Sequence, residues 1–330
     1  MKKSILIYAA IPLFLASCTS TGWNATDYLF NSTANQQELI ANKIAGAAGS
    51  DNPGEKLASD AVNNISSNIA IRAAEAIDQV VPNSRTEISA TGFDVSNGRV
   101  EISNVTGINS SQDGRSQSFL QSSALGTKEK TVINIGLGHR YLTNDEKYLL
   151  GANMFYDYDT KYGHERYSIG AELKSSTFEM TANSYKGLTG WKNGKGTNLD
   201  QALDGYDIEV GAQLPYMPGT KAYLKQFQWD LIGAAPLKGT DYSIEFAHMF
   251  GSGVTLELGK RNFEGTETDE DFAKMSYVHT FGAQEDSIKT SIFSKNMFEN
   301  ESMKSHMLDK VRRNNAIVIQ TKFSSAVGGV

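Results

Sequence analysis

The sequence predicts an all-β fold, an antiparallel outer-membrane barrel of about twelve strands, and three observations predict it. Six segments between residues 148 and 259 alternate apolar and polar side chains with a period of two. No stretch reaches 18 consecutive apolar residues, so a membrane-spanning form of this chain has to be a closed barrel, in which the strands satisfy one another's backbone groups. Tyr and Phe number 14 and 15 and Gly 30 against only 6 Pro, which favours long antiparallel strands with aromatic girdles.

The first zone, 1–18, reads as a signal peptide. Lys2 and Lys3 supply its positive start, and Ile5 to Leu15 form an apolar stretch too short to span a membrane. It ends in Leu15-Ala16-Ser17-Cys18, which resembles a bacterial lipobox with Cys18 as the expected lipidated residue; the alternative is an ordinary signal peptide cleaved nearby, after Ala16 or Ser17. Cys18 is the single cysteine, so no intramolecular disulfide is expected. Residues 19–35, rich in Ser, Thr and Asn, read as a flexible tether. Residues 36–83 read as a periplasmic helical segment. A first helix covers 36–48 and is broken by the Gly/Pro-containing run 49–54. A second covers 55–80, where Leu57, Ala61, Ile65, Ile69, Ala73, Ala76 and Val80 recur every three or four positions.

The barrel is expected over 84–282. Twelve strands centre near Glu87, Ile102, Phe119, Ile135, Met154, Ile169, Met180, Val210, Tyr223, Ile244, Leu256 and Tyr277. In the fifth, Leu150, Ala152, Met154, Tyr156 and Tyr158 share a face, while Asn153, Asp157 and Asp159 take the other; Phe155 breaks the pattern. A soluble sandwich also alternates. Here the polar face is crowded with Glu, Asp, Arg and Gly, which suits a hydrated lumen. The predicted lumen charge network comprises Arg140, Asp157, Arg166, Glu172, Asp207, Glu209, Glu245 and Glu257. Asp157 and Asp159 are read as partners of Arg140 and Arg166 rather than as a calcium site. The Gly- and Asn-rich run 187–203, with Trp191, is expected to be a surface connection.

The remaining features exclude more than they assign. A net charge of −6 without a basic block argues against a nucleic-acid partner. None of His139, His164, His248, His279 and His306 pairs at metal-ligand spacing, and no cofactor is expected. His164-Glu165 is the nearest thing to a catalytic pair, in a turn after Gly163; the chain is read as a non-enzyme.

A series of motifs then carries a family resemblance. Gly136-Leu137-Gly138-His139-Arg140-Tyr141 leads into Gly151-Ala152-Asn153-Met154-Phe155-Tyr156-Asp157-Tyr158-Asp159, followed by Gly163-His164-Glu165-Arg166, Ala182-Asn183-Ser184-Tyr185, Leu188-Thr189-Gly190-Trp191 and Gly205-Tyr206-Asp207. In order and spacing this resembles the translocation domain of inverse autotransporters, the intimin/invasin family of type Ve secretion, across about 84–320. The resemblance implies a twelve-stranded barrel with a periplasmic N-terminus and a C-terminal chain turning back through the pore. The run from Leu308 to Ile319, including Val311, Arg312, Arg313 and Asn314, resembles the short helix and linker that occupy the family's pore. Zone 283–330 is therefore expected to be a pore helix and linker without a passenger domain, and no LysM module is read before the barrel.

The function expected is that of an outer-membrane translocator or anchor, exporting or displaying its C-terminal segment or a separately encoded secreted protein. A structural or porin-like lipoprotein is the alternative, and a barrel enzyme ranks behind both. The expected partners are outer-membrane lipid, the barrel-assembly machinery and periplasmic chaperones, around a monomer. The mixed-sign lumen charges are expected to grip Arg312 and Arg313.

Overall fold

A computed structural model describes residues 83–92, 98–127, 129–247, 253–281 and 293–323. Cys18, the tether, the helices expected over 36–82, His248, the side chains of His279 and Phe281, and the end of the chain lie outside the described residues.

The strands, in chain order, are β1 (Ser84–Gly92), β2 (Arg99–Ser110), β3 (Ser116–Thr127), β4 (Thr131–Leu142), β5 (Leu149–Asp159), β6 (Glu165–Lys174), β7 (Phe178–Gly187), β8 (Lys192–Asn193), β9 (Leu199–Ala202), β10 (Gly205–Leu214), β11 (Met217–Trp229), β12 (Leu237–Ala247), β13 (Val254–Phe263), β14 (Glu270–Phe281) and β15 (Ile319–Lys322). Twelve of them form a closed antiparallel barrel, each paired with its neighbours in the chain, and β14 closes onto β1 from Ser84↔Phe281 to Gly92↔Ala273. All twelve predicted strand centres fall inside barrel strands. β8 and β9 lie in the β7–β10 connection and join β15 as a small separate sheet.

Alternation decides which side chains enter the lumen, because successive residues of a strand point to opposite faces. On β5, Met154 is 58% exposed on the outside while Asp157 is 0% exposed inside. Phe155, the residue that broke the pattern, also points inward and is buried against Val105, Phe119 and Val311. The lumen is thus packed rather than open.

The two rims differ. One carries short turns, such as 175–177 between β6 and β7 and 215–216 between β10 and β11, and it is also where β1 begins and β14 ends. The opposite rim carries the long connection 188–204 with β8 and β9.

The tail crosses from one rim to the other. At the short-turn rim the Ser294 N–H donates to Tyr216 O (2.9 Å), and the Met303 N–H to Glu146 O (2.8 Å). Met303–His306 is one turn of 3-10 helix, capped by the Ser302 hydroxyl. Met303 and Met307 bury against Leu142 and Leu149. At the far rim the Leu203 N–H donates to Val318 O (3.0 Å), and β15 pairs antiparallel with β9 from Ile319↔Ala202 to Lys322↔Leu199.

The helical turn therefore lies earlier than the family resemblance implies, and 308–318 is not helical. Length gives the reason. These residues as a helix would cover only ~17 Å at 1.5 Å per residue, but extended they cover ~36 Å at 3.3 Å per residue, enough to pass a hydrocarbon core of ~30 Å.

Candidate functional site

The site is the lumen with the tail inside it. An extended chain leaves its own N–H and C=O groups without intrachain partners, and a buried one must find them elsewhere. Here the barrel wall supplies them. Arg140 Nη1 donates to Met307 O (3.0 Å) and to Asp309 O (2.6 Å). Asn183 Nδ2 donates to Arg312 O (3.1 Å) and Asn134 Nδ2 to Asn315 O (3.1 Å). Arg166 reaches Asn314 O (2.7 Å) through Nη2 and Ala316 O (2.9 Å) through Nη1. In the other direction, the Val311 N–H donates to Gln121 Oε1 (2.9 Å) and the Asn314 N–H to the Tyr185 hydroxyl (2.8 Å). The donors come from β4, β6 and β7 and the acceptors from β3 and β7, so the tail is held from several strands.

Its consecutive arginines point to opposite walls, as extended backbone requires. Arg312 faces β10, β12 and β13. Its guanidinium bonds Glu209, and it reaches Glu245 at 3.0 Å and Glu257 at 3.2 Å. It lies 3.8 Å over the Tyr223 ring. Arg313 faces β5 and β6. It clasps Asp157 with both terminal nitrogens, at 3.0 and 2.7 Å, donates to Ser168 Oγ at 3.1 Å, and stacks 4.3 Å over Phe155. Lys310 pairs with Glu101 at 2.9 Å and with Glu87 at 3.3 Å, and Asp309 pairs with Arg85.

The wall residues also bind one another. Asp157 accepts from Arg166 Nε at 2.8 Å and from Asn134 Nδ2 at 2.7 Å, so one carboxylate serves two guanidiniums. Arg140 does not pair with Asp157 or Asp159, as the sequence reading expected. Its partner is Glu172, two strands away, at 2.5 and 3.1 Å. The intervening residue in that row is Gly151, paired with Arg140 on one side and Glu172 on the other. A Cβ at Gly151 would collide with the Glu172 carboxylate, so the glycine opens the route. Asp159 instead pairs with Lys130 at 3.0 Å. Asp207 does not touch the tail; it accepts from Asn183 and from the Tyr185 hydroxyl, both at 2.7 Å, and so orients the groups that do.

Sequence reasoning missed the inward aromatics. Arg140 stacks over Phe119 and Arg166 over Tyr185, each at 4.5 Å, in addition to the Arg312–Tyr223 and Arg313–Phe155 stacks. Each ring offers its negative face to a desolvated cation. The available signal was an aromatic out of phase with the alternation, which Phe155 displayed. Glu87, Glu101, Gln121, Asn134 and Asn183 were missed as tail contacts; inward position alone marked them.

His164 sits in the turn before β6, with Nδ1 3.3 Å from Thr189 Oγ1. Burial holds its imidazole below the usual histidine pKa. Among the described residues, no group of three or more His, Cys, Asp or Glu is arranged to hold a metal.

A family model described as inverse autotransporter, beta-domain, matches residues 39–315. The chain is 32% identical over 117 residues to the inverse autotransporter adhesin YeeJ of Escherichia coli (strain K12), a match covering 34% of this chain and 5% of that protein. It is 30% identical over 139 residues to invasin of Yersinia enterocolitica, covering 39% of this chain and 16% of that protein. It thus spans a small part of the length of these relatives. Among solved structures, one from a study of membrane-protein crystallization in meso superposes with a TM-score of 0.61 at 19% identity, over 72% of this chain and 99% of the other, and shares the fold. Family and fold are those of outer-membrane barrels and adhesin translocators. The extent of the family match, together with a closed twelve-stranded barrel, shows that this chain belongs to the inverse autotransporter β-domain family.

Proposed function

We propose that the barrel is a translocator and anchor whose C-terminal segment runs outward through the pore. In this reading the short-turn rim is periplasmic, the rim with β8 and β9 faces the cell surface, and the segment beyond β15 is displayed or leads to exported protein. A separately encoded secreted protein using the same pore belongs to the reading as its second form. The observation that carries it is the series of wall-to-backbone bonds at Met307, Asp309, Val311, Arg312, Asn314, Asn315 and Ala316. Bonds to carbonyls and N–H groups do not depend on side-chain identity, so a wall built this way suits a chain in transit. The arginine contacts then fix where it stops.

The same reading includes cleavage before Cys18 and its lipidation, the charge network as a grip on Val311, Arg312, Arg313 and Asn314, outer-membrane lipid around the barrel, and insertion by the barrel-assembly machinery with periplasmic chaperones. The acyl chains on Cys18 would add membrane affinity of about 0.8 kcal/mol per buried CH₂. Cys18→Ala should abolish incorporation of labelled palmitate.

The decisive test is an epitope placed at Val330. Antibody should bind it on intact cells. Binding only after permeabilisation would overturn the orientation. Removing 305–330 should raise the conductance of the barrel in planar bilayers; equal conductance with and without the tail would favour a porin-like role.

A further inference from the structure

The tail does not run straight into the pore. Ahead of Met303 it hooks onto the turn between β10 and β11, where Tyr216 has a left-handed backbone (φ 62). Both backbone groups of Tyr216 are taken by the tail. Its N–H donates to Met297 O (2.8 Å), and its carbonyl accepts the Ser294 N–H (2.9 Å). Between these contacts the chain forms a compact turn organised by the Ser294 hydroxyl, which accepts the Asn296 N–H (3.0 Å) and donates to the Glu299 carboxylate. The polar groups of the turn are thus satisfied locally, while its large apolar side chains are left uncovered. Phe293 is 67% exposed, Met297 51% and Phe298 42%.

That exposure is not a general property of the tail, since Met303 and Met307 are buried at 2% and 6%. Nor is it a property of the rim: the turn at 111–115 reads Ser-Gln-Asp-Gly-Arg and carries no large apolar side chain. Three large apolar side chains gathered on one exposed loop mark an interaction surface. What lies beside this one is the lipid-facing wall. Tyr216, itself exposed, follows the outward row of β10. The Gln213 N–H donates to Thr177 O (2.9 Å), which brings the turn next to Phe178, the first outward residue of β7 and also exposed. Tyr141 and Tyr148 are exposed farther round the same rim. Outer-membrane barrels place such aromatic girdles at headgroup level, and the patch on the tail continues this one.

We infer that Phe293, Met297 and Phe298 form a membrane foot, which inserts into the leaflet beside the short-turn rim and takes glycerophospholipid as its partner. This rests on the periplasmic placement of that rim proposed above, which makes the leaflet the inner one of the outer membrane. Continuity with the lipid-facing belt through Tyr216 and Phe178 supports lipid as the occupant. Charge supports it as well. Lys295, in the same turn, is exposed, and a long cationic side chain beside apolar ones lays its stem along the apolar layer and carries its ammonium to the phosphates. The foot gives the tail a fixed point of entry. Tyr216 holds its backbone, lipid holds its side chains, and the segment that threads the lumen starts from there.

The test is photo-crosslinking in the full-length chain in outer membranes, with p-benzoylphenylalanine replacing Phe293, Phe298, Met154 or Gln112 one at a time. The first two changes keep a phenyl ring in place, and heat-modifiable gel migration establishes that each variant is a folded barrel. Positions 293 and 298 are expected to give adducts with the mass of a phospholipid, which lose one acyl chain on treatment with phospholipase A2. Met154 on the outer wall should label lipid too, and Gln112 in the polar turn should not. Adducts from 293 and 298 to another protein or to a second copy would overturn the foot alone. So would their failure to crosslink while 154 labels lipid, or lipid labelling from 112 equal to theirs. Adducts to lipopolysaccharide, the lipid of the outer leaflet, would overturn the orientation of the barrel and the choice of leaflet together.

Discussion

Arg312 and Arg313 are adjacent in the chain and equal in charge, yet they occupy different kinds of site. Arg313 is in a dry one: its side chain and the Asp157 side chain are both 0% exposed, and Arg166 competes for the same carboxylate. The surplus positive charge is offset by aromatic faces at Phe155 and Tyr185. Arg312 is 19% exposed and meets three carboxylates, with Lys225 and Lys274 close by. The first site has no spare partner, and the second has several. A buried ion pair fixes geometry because losing one member leaves the other uncompensated, whereas a partly hydrated cluster tolerates loss. The tail is therefore located by Arg313 and held more loosely by Arg312.

Asp157→Asn should break that comparison most severely. It leaves Arg166 and Arg313 side by side without their carboxylate, at an expected cost of about 3–5 kcal/mol. Urea unfolding followed by gel shift should detect this, and protease should cut the tail within 308–318. A variant as stable and as resistant as wild type would remove Asp157 from its central role. Arg313→Ala comes next. Asp157 keeps Arg166 and Asn134, so the loss should be about 1.5–3 kcal/mol, the range for hydrogen bonds to a charged group. Its mark should be intermittent opening of the pore in single-channel recordings; a permanently closed pore would contradict it. Glu245→Gln should cost about 1 kcal/mol, the net worth of a typical hydrogen bond, since Glu209 and Glu257 remain beside Arg312. Only the combined change at all three carboxylates should release Arg312, and a single change equal in effect to the triple would refute the redundancy. Thr321→Pro should have the smallest effect on overall stability. It disrupts β15 opposite Asp200, and proteolysis should then begin at 319–323 while 308–317 stays protected.

Much of the barrel was legible in the sequence, because a period of two is a local property and survives without knowledge of contacts. Met154, Tyr156 and Asp157 declared their faces by position alone. Partners were not legible. Arg140 finds Glu172 only because Gly151 separates them in a cross-strand row, and that depends on register between three strands. The tail was misread for a similar reason. A run containing Leu308, Val311 and Ile317 is compatible with a helical turn, and what keeps it extended is a wall that offers donors along its length. The inward rings of Phe119, Tyr185 and Tyr223 looked like ordinary strand aromatics until the guanidiniums above them were in place.

The small sheet at the far rim also has a mechanical meaning. β15 leaves the lumen at Ile319, beside Ala202, the residue of β9 nearest the barrel wall, and its outer end, Lys322, lies against Leu199. A pull on the chain beyond Lys322 would draw β15 along its own axis while β9 is tethered at the opposite end of the pairing. Force then loads the inter-strand bonds together, in shear, instead of peeling them singly, and it reaches the buried arginines only after that sheet has yielded.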